Sequence, residues 1–284
     1  MKLKIMLRAI TISIIRTPYI GRFLLIFVRA RDGFVYLARR LAALFKWLIT
    51  SRETTNYTYH LDPTNVRYLA ALIADVTKTE YRQVMAYIQE IESDTQLRDH
   101  ILRTTAAYNR SFLADMEVRY ARRVGWYALV RIMKPVVVVE TGVDKGLGAC
   151  VLTSALKRNA SEGAAGMYYG TDINPQAGYL LTGEYAQYGR ILYGDSITTL
   201  KQFELPIDMF INDSDHSADY EAAEYRTILP KLSERAIILG DNAHVTDKLL
   251  AISLETERQF VYFQEKPHDH WYPGAGIGIS FKRS

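Results

Sequence analysis

Cysteine is almost absent from this 284-residue chain: Cys150 stands alone, so no internal disulfide can form and a small disulfide-stapled secreted fold is excluded. No charge-free apolar run approaches the roughly 20 residues needed to span a bilayer, which excludes a transmembrane helix of ordinary length. Arginines interrupt every apolar cluster near the N-terminus, so a cleavable signal peptide fits poorly and a cytoplasmic protein is expected. Internal repeats and low-complexity linkers are missing too. No G-x-G-x-x-G string marks a dinucleotide site of the NAD type. What is present is an ordinary globular composition, 49% apolar and 23% charged, enough for one large α/β domain with an appendage.

Acidic residues are scarce in one place. Residues 1–52 hold eleven Lys/Arg and a single acid, Asp32, giving +10, and because the chain as a whole carries +4 the remainder carries −6. Apolar clusters at 10–15, 23–28 and 41–48 alternate with those cations. The pattern predicts one or two basic amphipathic helices, which would either lie on an anionic membrane surface or cover the catalytic domain or a dimer partner. Nucleic acid is a poor fit, since the rest of the chain is acidic and lacks an aromatic-basic surface.

The richest motif is Val136-Val-Val-Val-Glu140-Thr-Gly142-Val-Asp-Lys-Gly146-Leu-Gly148. Consecutive valines suit a strand buried on both faces of a parallel sheet, and the glycines let backbone approach a ligand where a Cβ would clash. The helix that follows would turn its unpaired N–H groups toward the turn. Cys150, just inside it, reads as a small residue packing helix on sheet. The G-x3-G-x-G spacing points to the S-adenosylmethionine (SAM) loop of class I methyltransferases.

Around this motif the pattern predicts three segments: a basic helical extension over 1–52, a helical subdomain over 53–124 capped at Asp62-Pro63 and Ser93-Asp94, and a cofactor domain over 125–284. In the last, strands are expected near 136–140, 167–171, 190–194, 208–212, 236–240, 258–263 and 276–282, with helices near 147–158, 177–186, 217–231 and 246–257. This predicts a doubly wound, seven-stranded Rossmann-like sheet of the methyltransferase type. The loop before the last strand is too short for a crossover helix, so that strand should run antiparallel.

Ligands of open α/β sheets bind beyond the carboxyl ends of the strands, and here nearly every strand ends in an acid or amide. Asp172 is placed to accept both ribose hydroxyls of an adenosine, with Asn174-Pro175 opening a helix. Asp195 and Ser196 are placed for hydrogen bonds around adenine, Ser196 equally as an N-cap. Asp213, Asp215, Asp241 and Asn242 end neighbouring strands. With no basic residue close to them in sequence, three converging carboxylates call for a cation, and all-oxygen ligands favour Mg²⁺ or another hard divalent ion. The loop His268-Asp-His270-Trp271-Tyr272 reads as a substrate wall, or less economically as a second metal site.

Taken together, Glu140-Thr-Gly142 through Gly148, Asp172, Gly194-Asp195-Ser196, Asp213-Ser-Asp215-His216-Ser217 and Gly240-Asp241-Asn242 resemble the metal-dependent class I SAM O-methyltransferases. That group includes catechol and macrocin-type sugar O-methyltransferases and cephalosporin hydroxylase-like proteins. The resemblance spans about residues 125–282. It implies Asp213, Asp241 and Asn242 as metal ligands, Glu140 and Gly142 along the methionine part of SAM with Gly146 and Gly148 completing the loop, and Asp172 on the ribose, with Asp213 also beside the cofactor. Catechol-type members carry a lysine three residues after the first metal ligand, where this chain has His216, and sugar-type members suggest Asp215, so both are candidate bases. The expected reaction is metal-assisted methylation of a hydroxyl on a small molecule or sugar. The alternatives are a catalytically silent SAM-fold protein at a membrane surface and a hydroxylase-like member of the fold.

Overall fold

The computed structural model of the chain describes residues 12, 16–17, 19–54 and 57–282. The expected helical extension is therefore seen from Tyr19 onward, and most of the 10–15 apolar cluster lies outside the described residues. Two compact units are present: the described part of Met1–Ser51 with Asp269–Tyr272, and Arg52–His268 with Pro273–Ser284. The first unit contains one long helix, α1 (Ile20–Thr50). No helix among the described residues is long and apolar enough to cross a membrane.

The second unit opens with three helices, α2 (Pro63–Thr77), α3 (Tyr81–Glu92) and α4 (Thr95–Ala107). Asp62 caps α2 by accepting from Thr64 N–H, with Pro63 in the first turn, and Asp94 caps α4 by accepting from Leu97 N–H. Their apolar faces close on α5 (Arg123–Met133), where a Cβ on Gly125 would stand 3.0 Å from Leu69 Cδ2 and 3.2 Å from Ile73 Cδ1. Buried Arg131 on α5 ties the layers together by reaching Glu90 of α3 and Asn159 and Glu162 beyond. The helical region 53–124 and the sheet thus share one compact unit.

The sheet comprises β1 (Val137–Thr141), β2 (Met167–Asp172), β3 (Gly189–Tyr193), β4 (Ile207–Asn212), β5 (Leu232–Asp241), β6 (Gln259–Gln264) and β7 (Gly276–Phe281). Its order is β3-β2-β1-β4-β5-β7-β6, and only β7 runs antiparallel to its neighbours, as the short connection requires. The helices α6 (Leu147–Ser161), α7 (Ser196–Gln202), α8 (Ala218–Ile228) and α9 (Lys248–Glu255) flank it. All five residues of β1 are buried, matching its valine run. On one face, Phe210, Tyr225, Ile238, Leu249 and Ile252 form the core between the sheet and α8 and α9.

The structure departs from expectation in two elements. Residues 177–186 are turns ending in a short 3-10 segment, Tyr185–Tyr188, not a helix. Gly178 and Gly183 adopt left-handed φ of 73° and 57°, which break helical geometry twice in six residues. Conversely, α7 was not anticipated. Its seven residues are too few to show a period, and its cap, Asp195, looked like a ligand.

Candidate active site

The order in which strands are added reverses at β1, which lies between parallel β2 and β4, so the crevice beyond the carboxyl ends of β1 and β4 is the natural ligand position. Register decides which residues meet there. Thr141 pairs with Asn212, and Asn212 with Gly240, so Gly142, Asp213 and Asp241 leave the sheet side by side. The ladder is extended by Asp213 N–H donating to Thr141 C=O at 2.9 Å and Gly142 N–H to Thr171 C=O at 2.8 Å.

The glycine turn is built for proximity. Gly142 has φ of 79°, and a Cβ there would stand 1.9 Å from the Asp213 carbonyl oxygen; Gly146 has φ of 93° and caps α6 through backbone alone. With no side-chain cap, the first-turn N–H groups of α6 remain available to an anionic ligand. Asp172 braces the turn: one carboxylate oxygen accepts Val143 and Asp144 N–H, each at 3.0 Å, and the other accepts Asn174 N–H at 2.8 Å. Three of its roughly four lone pairs are so used.

Glu140 is buried beneath the glycine turn. It is 1% exposed, accepts the Tyr168 hydroxyl, and sits so close beneath Gly148 that a Cβ there would meet its Oε1 at 2.4 Å. Glu140 and Gly148 are thus packed on each other below the loop. Burial raises the Glu140 pKa to about 7, against a smaller opposing effect of the Tyr168 hydrogen bond. A carboxyl that keeps its proton in the folded state and loses it in the unfolded chain makes stability fall as pH rises, here from about 4.5 to 7. Glu140→Gln should flatten that slope and gain on the order of 2–3 kcal/mol at pH 8 relative to pH 4.5, measured by urea unfolding across pH.

The adenine-side pair has split roles. Asp195 is the N-cap of α7, accepting Thr198 N–H at 2.7 Å and also the Tyr220 hydroxyl at 2.7 Å; these bonds hold its carboxyl below the usual range. Ser196 is buried and donates to Glu224, so the expected adenine contact of its hydroxyl is spent internally. Glu224, fully buried on α8, also accepts from Thr141, Asn212 and Ser214. It cross-links the ends of β1, β4 and α7. The hint in the sequence was Glu221 and Glu224 on the apolar side of an amphipathic helix.

At the heart of the crevice, carboxylate O of Asp213 and Asp241 and a ring nitrogen of His216 lie within 4.8 Å of one another. His216 Nε2 is 3.9 Å from Asp213 Oδ1 and 3.0 Å from Asn242 Nδ2. Asp215 stands apart: it is exposed, accepts Ser217 N–H at 2.7 Å at the start of α8, and this bond lowers its pKa. His268 and His270, the alternative second metal site of the 268–272 loop, join no such cluster among the described residues. Trp271 instead packs on Trp47 of α1, ring centroids 5.3 Å apart.

The cation that the carboxylates require comes from far along the chain. Arg122, immediately before α5 and 9% exposed, engages both oxygens of Asp241, one at 2.5 Å, and reaches Glu265 at 3.3 Å and Asp213 at 3.9 Å. Arg123 stands 3.9 Å from Asp213 as well. Tyr59 donates to the second oxygen of Glu265 at 2.9 Å. Burial disfavours the Arg122 charge, but Asp241, Glu265 and Asp213 outweigh it and hold the guanidinium well above its ordinary pKa. Asp213 is pushed well up by burial and then by the neighbouring Asp241 carboxylate. The cluster expected to lack a basic partner therefore has one, and the Arg122-Arg123 pair ahead of the helix leading into β1 was its signal.

Residues 139–243, from β1 through the Asp241-Asn242 turn, match the family model described as a methyltransferase domain. Over that segment the chain is similar to methyltransferases. Its seven-stranded sheet with antiparallel β7 recurs in solved methyltransferases. An O-methyltransferase from Bacillus cereus in complex with SAH is 16% identical, covering 69% of this chain and 97% of that one, with a TM-score of 0.52. The O-methyltransferase TomG from Streptomyces achromogenes, involved in tomaymycin synthesis and solved with SAM, is 14% identical, with coverage of 66% and 90% and a TM-score of 0.52. The SAH-bound Podospora anserina methyltransferase PaMTH1 is 17% identical, with coverage of 72% and 95% and a TM-score of 0.50. At these identities the likeness is one of fold. No curated protein matches the chain significantly. The matched segment surrounds the crevice just described, while Arg122, Arg123 and Glu265 lie outside it.

Proposed function

We propose that this protein is a SAM-dependent O-methyltransferase in which His216 takes the proton from an acceptor hydroxyl on a small molecule or sugar. The observation that carries this reading is the placement of His216 between Asp213 and Asn242, at the β4 and β5 ends and beside the glycine turn. SAM fits that turn: the uncapped start of α6 complements a carboxylate, Asp172 retains a lone pair for a ribose hydroxyl, and the structural neighbours include proteins solved with SAH and SAM. When bound, SAM supplies an electrophilic sulfonium methyl.

The chain's residues supply position and proton transfer. An acceptor hydroxyl held in the crevice would give its proton to His216 Nε2, and its oxygen would take the methyl that SAM would supply, leaving the cofactor as the thioether. Asn242 Nδ2, an amide donor, meets Nε2 as acceptor, which leaves the ring proton on Nδ1; the acceptor hydroxyl would displace this amide to reach the Nε2 lone pair. Asp213 and Asn242 flank the ring and fix its orientation.

A divalent ion does not fit the cluster as it stands. Both oxygens of Asp241 are engaged by Arg122, and two guanidinium groups lie within 3.9 Å of Asp213, so the charge that would attract Mg²⁺ is already balanced. Arg122 is the cation of this site in our reading, and no chemical step is routed through a metal.

Calorimetric titration with SAH tests the cofactor, and transfer from radiolabelled SAM to a panel of phenols and monosaccharides tests the reaction. His216→Gln should keep SAH affinity within a few-fold and reduce turnover by about 10²–10⁴. Asp215→Asn, which alters only a turn, should change turnover no more than a few-fold. Absence of SAH binding would sink the cofactor reading, and full activity in His216→Gln would remove the base assignment.

A further inference from the structure

The α1 helix leaves its apolar side uncovered. Its residues Phe23, Phe27, Phe34, Leu41, Phe45 and Leu48 recur at three-, four- and seven-residue spacing and so share one face, and the four phenylalanines are 58–63% exposed. The helix is about 46 Å long, and such a continuous aromatic stripe is far larger than the isolated apolar residues that ordinary surfaces tolerate. Trp47 lies on another side of the helix, against Trp271 of the 269–272 segment, so the contact within this unit leaves the phenylalanine face uncovered. Arg22, Arg29, Arg39 and Arg40 occupy the remaining circumference, and α1 holds six Lys/Arg against one acid, Asp32, which is paired with Arg31.

From this we infer that α1 lies in the interface of an anionic lipid bilayer, phenylalanines in the acyl boundary and arginines at the head groups. Charge complementarity selects this occupant over a second copy of the chain. Pairing two α1 helices along the stripe would bring the cations of the two copies together, Arg40 at its edge among them, with Asp32 the one acid of each helix and already paired with Arg31. An interfacial position needs no span, consistent with a helix too charged to cross. Arg31, which lies closest to the apolar arc, can extend its stem to the head groups.

Co-sedimentation of the full chain with vesicles tests this, using phosphatidylcholine alone and phosphatidylcholine with phosphatidylglycerol. Binding to the anionic vesicles should exceed binding to neutral ones by at least about tenfold and fall as salt is raised. Phe23→Ser/Phe27→Ser/Phe34→Ser and Arg29→Gln/Arg39→Gln/Arg40→Gln should each weaken it roughly 100-fold while leaving SAH affinity intact, which shows that the domain is folded. Equal binding to both vesicle types, wild-type binding by the serine variant, or no vesicle binding beside a dimer that the serine variant dissolves in sedimentation velocity would each overturn the assignment.

Discussion

Arg122→Met should destabilise the protein by about 3–5 kcal/mol, the loss expected when one partner of a buried ion pair is removed. The guanidinium touches Asp241 on both oxygens and Glu265 on one, and Asp241 and Glu265 are each 1% exposed, so its removal strands buried negative charge beside Asp213. Arg122→Lys should fall between, since an ammonium cannot span the two Asp241 oxygens as the planar fork does. The variant's deficit should shrink as pH falls from 8 to 5. Stranded carboxyls acquire raised folded pKa values, and groups so raised cost stability above their unfolded pKa and none below it. Divalent ions give the sharper test. Millimolar Mg²⁺ or Ca²⁺ should leave wild-type Tm unmoved and EDTA should leave methyl transfer unchanged, whereas the methionine variant, with three carboxylates and only the Arg123 guanidinium beside them, should gain thermal stability from Ca²⁺. A wild-type Tm that rises with Mg²⁺, or transfer that EDTA abolishes, would show that the cation of the site is a metal.

That arginine also marks where sequence reading stops. The strand ends were legible because each rests on local signals: valines for β1, the Asp62-Pro63 and Asp94 caps for α2 and α4, a short last connection for antiparallel β7. Parallel register then brings Gly142, Asp213 and Asp241 together without further information. Arg122 reaches Asp241 across 119 residues, through packing of α5 that no periodicity encodes. Short polar residues were legible as present but ambiguous in role. Asp195 caps, Ser196 and Glu224 pair in the interior, and Glu140 faces Tyr168, because burial converts a candidate ligand into a structural partner and only the fold reveals which side of a strand end is buried. The 177–186 stretch failed for a related reason: Leu180, Leu181 and Tyr185 keep helical spacing while the glycines between them leave helical φ.

Gly142→Ala should be the most damaging single-methyl change in the chain, and Gly163→Ala gives a matched control. Both glycines are left-handed, with φ of 79° and 87°, so each alanine meets the same backbone penalty of about 1–2 kcal/mol. At Gly163 nothing lies within 4 Å of the new Cβ, and the penalty ends there. At Gly142 the Cβ would lie 1.9 Å from the Asp213 carbonyl oxygen and 2.8 Å from Ser214 Cα, both main-chain atoms that cannot rotate aside. Relief requires β1 and β4 to separate at their carboxyl ends, where Asp213 N–H bonds Thr141 C=O, and this moves Asp213 away from Arg122 and His216. Urea unfolding should therefore show at least about 2 kcal/mol more loss in Gly142→Ala than in the control. Calorimetry should show SAH affinity lowered more than about tenfold in the first and unchanged in the second, because only the first disturbs the turn that would hold the cofactor. If both alanine variants bound SAH as the wild type does, the cofactor would have to lie away from this glycine turn, and the proposed geometry for His216 would fall with it.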